Sequence, residues 1–282
     1  MIDEIMSSLA KSPTSDFVYS SLSFFGGPRG GPLTGVWFVR SMGALGVSAQ
    51  TTRQTLFRME ADGALIGRKV GRTKRYHASP TTLAVIEAGR DRVAQPANER
   101  WDGRWTLVHF RVGEDDRDIR DRLRDVLLVE GFGSLGPGLY IHPRDRTARL
   151  TRAAKELRVT DRINVFRGAH SAGVSDQQLV HETWDLAAIA ARYRTFIRRF
   201  TPVAAARTST LTPLEAFGLR FAFMFEFFRI SWDDPSLPHE LLPAEWPGEE
   251  ARRLAETLMK KLMPGALRFG KGVARSESGA AS

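Results

Sequence analysis

Apolar residues recur along much of this chain at three- and four-residue spacing and crowd together in a few short runs, and these two patterns divide it into elements. Thr14 to Phe25 opens on a capping residue and carries Phe17, Leu22, Phe24 and Phe25, which predicts a helix. The glycines and prolines of GGPRGGP end it. A second short helix is expected over about Val36–Leu45, closed by Gly46. Val47 and a good N-cap residue, Ser48, then lead into a third helix over Ala49–Ala61. On it Thr52, Leu56 and Met59 fall on one buried stripe, while Gln50, Thr51, Arg53, Gln54 and Arg58 face outward. Asp62-Gly63 breaks this helix. The remainder, Leu65–Lys69 and Lys74–His77 around Val70-Gly71-Arg72-Thr73, reads as a two-stranded wing with a basic tip.

The pattern then changes. Arg104–Val112 (RWTLVHFRV) is a mostly buried strand, and Glu114–Glu130 a helix with Ile119, Leu123, Val126 and Leu127 at helical spacing. Leu139–His142 is expected as strand, Thr147–Leu157 as helix and Arg158–Phe166 as strand, a βαββαβ ferredoxin-like order with one strand unassigned. Thr183–Phe200, Thr212–Trp232 and Pro247–Met263 read as helices, and the proline-rich DDPSLPHELLPAEWPG is expected to pack across a helical domain. Polar, small-residue stretches at Ala94–Arg100 and Arg167–Asp176 separate the three blocks. The expected fold is therefore α+β and multidomain. It comprises an N-terminal winged helix-turn-helix (14–80), a helical linker (81–100), a central ferredoxin-like domain (101–170), a mainly helical C-terminal domain (176–269) and a disordered tail (270–282) without anchoring hydrophobics.

Composition narrows the function. A length of 282 residues suits two or three domains, each able to bury a core. No run of about eighteen apolar residues occurs, Phe217–Ile230 being interrupted by Arg220, Glu226 and Arg229. Asp3 and Glu4 stand where a secretory leader would be basic, so a cytoplasmic protein without membrane contact is expected. With no cysteine, disulfides, thiolate zinc sites and cysteine nucleophiles are excluded. The net charge of +9 is concentrated at the N-terminus. Between Leu65 and His77 lie Arg68, Lys69, Arg72, Lys74 and Arg75 with no acid, as in a segment facing a polyanion. The plain alternative is a solubilising surface loop.

A helix-turn-helix reads sequence with side chains near the N-terminus of its second helix. Gln50, Thr51, Arg53 and Gln54 hold that position here. Gln can bond adenine bidentately and Arg guanine, Ser48 with the first helical amides suits a phosphate, and the wing cations add phosphate contacts. Arg72 at the tip is placed to enter a minor groove. Enzymatic chemistry finds little footing. His77, His109, His142, His170, His181 and His239 are scattered rather than paired as metal ligands, no serine sits in a G-x-S-x-G elbow, and GGPRGGP lacks the strand-before, helix-after setting of a nucleotide loop. No metal, catalytic residue or resident cofactor is expected.

Several longer segments occur in order: PRGG (28–31), GALGVSAQTTRQTLFRMEADG (43–63) followed by GRKVGRTKRYHASP, WDGRWTLVHF (101–110), RDRLRDVLLVEGFGSLGPGLYIHP (120–143) and DDPSLPHELLPAEWPGEEA (233–251). Together they resemble the phenylacetic-acid-degradation repressor family, PaaX, over nearly the whole chain. One departure is Phe25-Gly26-Gly27, shorter and less polar than the family's common pattern. The resemblance implies a homodimeric repressor of an aromatic-acid catabolic operon that binds double-stranded operator DNA and is released by an acyl-CoA effector such as phenylacetyl-CoA. It also implies that the central domain supports dimerisation and the C-terminal domain responds to effector. Cations expected to meet the thioester's phosphates are Arg194, Arg198, Arg199, Arg220 and Arg229, although arginines beside core phenylalanines commonly cover them with their stems. The central domain is similar to a small CRISPR-associated nuclease, so a nucleic-acid-processing enzyme is the rival reading. Nucleases of that type place an aspartate at the end of the first strand, where this chain has Val108-His109-Phe110-Arg111-Val112, and the acids Glu114, Asp115 and Asp116 suit the first turn of a helix.

Overall fold

In the computed structural model, which describes residues 2–26, 31–94, 100–111, 116–170 and 172–279, the chain packs as two units. Unit 1 joins Met1–Ala94, Thr195–Phe228 and Glu250–Ser282, and unit 2 joins Gln95–Arg194 with Arg229–Glu249.

Unit 1 begins with α1 (Ile2–Leu9), which buries Ile5 and Leu9, and α2 (Thr14–Phe25), which buries Phe17, Val18 and Leu22. A short strand β1 (Leu33–Thr34) precedes α3 (Gly35–Gly43) and α4 (Ala49–Ala61). Gly46 and Gly63 both adopt positive φ, at 85° and 72°, and close these helices as C′ glycines do. The hairpin of β2 (Leu65–Val70) and β3 (Thr73–Ala78) turns through Gly71 at φ 60°, the positive-φ first position of a two-residue loop. β1 pairs with β3 to give the antiparallel order β1-β3-β2, and α5 (Pro80–Ala94) follows.

The C-terminal helices join this head. Within the rest of the chain lie α9 (Leu186–Ala205), α10 (Pro213–Asp233) and α11 (Gly248–Gly279). The Phe17 ring of α2 meets Phe217 edge-on at 5.6 Å between centroids and Phe221 at a tilt at 4.5 Å, and Phe217 lies 4.6 Å from Phe269. α10 and α11 approach so closely that a Cβ on Gly265 would stand 2.5 Å from that of Ala216. The aromatic face of the N-terminal helices is thus covered by residues some two hundred positions away, so the first and third sequence blocks share a core.

The tail read as disordered from residue 270 is instead helical to Gly279. Gly270 lies against the Phe25 ring, and the further anchors are backbone and polar, which composition does not register. The Trp37 indole donates to the Gly270 carbonyl at 3.2 Å, Thr34 Oγ1 to Glu277 Oε2 at 2.7 Å, and Arg40 to Ser276 Oγ at 2.5 Å. The helix expected to stop at Met263 accordingly runs on through Pro264.

Unit 2 holds β4 (Trp105–Phe110), α6 (Arg117–Val129), β5 (Gly133–Gly136), β6 (Leu139–His142), α7 (Thr147–Glu156) and β7 (Ile163–Gly168). The sheet is antiparallel in the order β5-β6-β4-β7. Val108, Phe110, Leu123, Leu127, Phe132, Tyr140 and Leu150 form its core. The strand left unassigned in the sequence is β5, four residues including two glycines, which joins β6 through an irregular register. The helix expected over Thr183–Phe200 is α9, which starts at Leu186, and it is preceded by an unexpected helix, α8 (Asp176–Thr183); the two are separate because Trp184 is extended and Asp185 Oδ1 starts α9 by accepting from the Ala188 amide. The proline-rich segment is anchored by buried Leu237 and Leu241, and Asp234 accepts from Tyr193 Oη at 2.8 Å.

Candidate nucleic-acid interface

Helix α4 starts as its sequence requires. Ser48 Oγ accepts from the Thr51 amide at 3.0 Å and lies 2.8 Å from Thr51 Oγ1, so both side chains serve the N-terminal cap. Thr52, Thr55, Leu56 and Met59 are buried, which anchors α4 and leaves Gln50, Thr51, Arg53 and Gln54 exposed on its free side. Phe57 is 73% exposed on that side as well and was missed by the sequence reading, though counting seven residues from Gln50 finds it.

The hairpin presents Arg68, Lys69, Arg72, Lys74 and Arg75, all exposed. Its register sets Arg68 opposite Arg75 and Lys69 opposite Lys74. Like charges directly across a sheet are destabilising, by a few tenths to about 1 kcal/mol per pair, so the free protein carries a repulsion that a polyanion would relieve. Lys74 has a partner of its own: its Nζ lies 2.5 Å from Glu60 Oε2 on α4, and the hydrogen bond raises its pKa. This pair ties hairpin to helix across Gly67, where a Cβ would stand 2.4 Å from Glu60 Oε1 and from Lys74 Cε. Lys74 therefore positions the hairpin, whereas the other four cations have no acid opposite them in its register. Of the PRGG motif, Pro28, Arg29 and Gly30 lie outside the described residues.

The five arginines read as effector contacts fall in both units. Arg194 and Arg198 are exposed a turn apart on α9, and Arg198 donates to Thr195 Oγ1. Arg199 is held by Glu226 at 2.9 Å and Ser8 at 3.1 Å. Arg220 is buried with its guanidinium 3.4 Å from the Phe24 ring centroid, and burial lowers its pKa to about 9, which leaves it charged at neutral pH. Arg229 is exposed and belongs to unit 2. Of the acids weighed for a nuclease centre, Glu114 and Asp115 lie outside the described residues and Asp116 pairs with Arg162. Among the described residues no group of His, Asp and Glu is placed to hold a metal ion, and no helix is long and apolar enough to cross a membrane.

Comparison with known proteins gives these features a family. Three family models match in succession: the PaaX-like protein model over residues 17–81, the PaaX protein central Cas2-like domain over 98–180 and the PaaX-like protein C-terminal domain over 184–272. The transcriptional repressor PaaX of Escherichia coli is 31% identical over 231 residues, covering 80% of this chain and 72% of the relative. The chain belongs to the PaaX family. A solved structure of an uncharacterized protein from Mycobacterium tuberculosis covers 90% of this chain and 97% of its own at a TM-score of 0.59 and 22% identity, a likeness of fold. The PaaX relative is a regulator, and on that relationship rests the conclusion that this chain is no enzyme.

Proposed function

We propose that this PaaX-family protein is a transcriptional repressor whose α2–α4 and β2–β3 hairpin form a winged helix-turn-helix on operator DNA. In this reading α4 is the recognition helix and the hairpin is the wing. The observation that carries it is the like-charge pairing of Arg68 with Arg75, with Lys69 and Arg72 exposed on the same hairpin, next to a helix that exposes Gln50, Arg53 and Gln54. The name of the E. coli relative supports the same reading. The ferredoxin-like order β4-α6-β5-β6-α7-β7 makes unit 2 the proposed dimerisation module, and two reading heads give the base contacts that one lacks. The family resemblance supplies the inducer, an aryl-CoA thioester of the phenylacetyl-CoA type, and an aromatic-acid catabolic operon as target.

The test is fluorescence anisotropy of the full-length protein on duplexes tiled across the DNA adjoining its own gene, with phenylacetyl-CoA, free CoA or phenylacetate added. One duplex should bind at least about a thousandfold more tightly than scrambled DNA and be released by the thioester alone. Equal affinity for every duplex would overturn the repressor reading, and tight binding indifferent to thioesters would remove the effector. Sedimentation and footprinting of the same complex test the dimer: a monomer protecting one asymmetric half-site would refute it.

A further inference from the structure

The exposed side of α4 ends on a residue that neither charge nor hydrogen bonding explains. Gln50, Arg53, Gln54, Phe57 and Arg58 stand at i, i+3, i+4, i+7 and i+8 along one side of the helix, and all are exposed. Phe57, at 73%, is the most exposed large hydrophobic side chain among the described residues. The helix does not need it for packing, since Thr52, Thr55, Leu56 and Met59 fill the buried stripe. Nor does it serve propensity, because Phe forms helix less readily than the Lys, Gln or Glu that a solvated face would take.

Its position is informative. A spacing of i, i+3, i+4 and i+7 is the one by which a homeodomain's recognition helix meets base edges. Seven residues advance about 10.5 Å along a helix, which spans roughly three base-pair steps. If Gln50 and Arg53 reach bases, Phe57 reaches the same groove at the far end of the row. A phenyl ring neither donates nor accepts a conventional hydrogen bond, so it cannot read the polar edges of adenine, guanine or cytosine. The major groove presents one apolar group, the C5-methyl of thymine.

The geometry points to Phe57 as a specificity-determining residue that packs on a thymine methyl of the bound duplex. This rests on the reading of α4 as the recognition helix. The exposed cations of the same head, Arg53 and Arg58 on the helix itself and Arg68, Lys69, Arg72 and Arg75 on the hairpin, favour DNA over an apolar protein face as the partner.

The experiment starts from duplexes enriched by the full-length protein from a random pool. Each thymine of the winning duplex is then replaced in turn by deoxyuridine, which removes the methyl and keeps base pairing. Wild-type protein should lose about fourfold in affinity at one such position, the factor that corresponds to roughly 0.8 kcal/mol for a buried methyl-sized group. Phe57→Ala, which leaves the buried stripe intact, should bind the thymine and deoxyuridine duplexes equally, and Phe57→Leu should restore part of the discrimination. Retention of the full fourfold preference by Phe57→Ala would overturn the assignment. So would a wild type indifferent to every replacement, or a Phe57→Ala protein whose only change is in self-association. A wild type that enriches no sequence would overturn the reading of α4 itself, and with it this one.

Discussion

Gly270 and Gly272 lie two residues apart in α11, and the structure gives them opposite responses to one substitution. Alanine in place of a helical glycine gains about 0.8–1 kcal/mol, chiefly through backbone entropy. At Gly272 an added Cβ would meet nothing within 4 Å, so Gly272→Ala should realise that gain. At Gly270 the Cβ would stand 2.4 Å from Phe25 Cε1 and 2.9 Å from Cζ. That ring cannot easily withdraw, being 4.5 Å from Phe24, 5.0 Å from Trp37 and 5.8 Å from Phe217. Forcing a methyl into such packing costs typically 1–3 kcal/mol. Moving the helix aside instead stretches the Trp37 to Gly270 hydrogen bond, and Trp37 is only 3% exposed, so an orphaned indole N–H would cost about 1–3 kcal/mol. The propensity gain is common to both variants. Their difference is therefore the packing cost itself, about 1–3 kcal/mol, with Gly272→Ala above wild type and Gly270→Ala at or below it. Urea denaturation followed by tryptophan fluorescence measures both, and unchanged m-values would assign the difference to folded-state packing. Equal stabilisation by the two substitutions would mean that the last turns of α11 are helical without a seat on Phe25 and Trp37. No effect from either would return residues 270–279 to the disorder their composition suggests.

On DNA, Arg72→Ala should flatten the slope of log affinity against log salt by about 0.9, the loss of one phosphate contact, whereas Lys74→Ala should flatten it less because Glu60 already holds that ammonium at 2.5 Å. Anisotropy titrations across a range of salt concentrations decide it, and equal reductions would mean that Glu60 releases Lys74 to the duplex. Arg53→Ala should cost roughly 1–3 kcal/mol on an enriched operator and much less on random DNA. Equal losses on both would make Arg53 a phosphate contact.

Local chemistry was legible at most positions where one residue decides it, Thr14 being an exception: it lies inside α2, whose N-cap is Pro13 with no side-chain cap bond. Ser48 as cap, Gly46 as a C′ residue, the break at Asp62-Gly63 and the Thr52–Leu56–Met59 stripe all stand in the structure as their residue types require. Strand β5 was not, because a four-residue strand with two glycines has neither alternation nor β-branched content and is held by its neighbour β6. The end of α11 was illegible for a related reason. Its contacts, Glu277 with Thr34 and Ser276 with Arg40, connect positions more than two hundred residues apart, and local composition carries no trace of them. Charge counting found the hairpin cations but not that Lys74 is spent on Glu60, since the partners stand fourteen positions apart in the chain. Phe57 carries no such sign, since a phenylalanine on a helix is core by default and only the burial of Thr52, Thr55, Leu56 and Met59 shows that it is not needed there.

The boundary drawn near residue 80 separated what the core joins. A segment of that length buries too small a fraction of its surface to be strongly stable alone, and this one has a large apolar face to cover. Phe17, Phe25 and Trp37 meet Phe217, Phe17 also meets Phe221, and Phe217 is backed by Phe269; Thr34 shows how closely the two parts are joined. Its Oγ1 accepts from the Trp37 amide, capping α3, while donating to Glu277 of α11. α3 in turn packs against α4. The helix proposed to read DNA therefore rests on a layer whose other side is the C-terminal helix. A displacement of 1–2 Å between α11 and α3, ordinary for packed helices, exceeds what hydrogen bonds of 2.5–3.2 Å can absorb. The reading head and the C-terminal helix must then move as one body or lose the hydrogen bonds that join Thr34, Trp37 and Arg40 to α11.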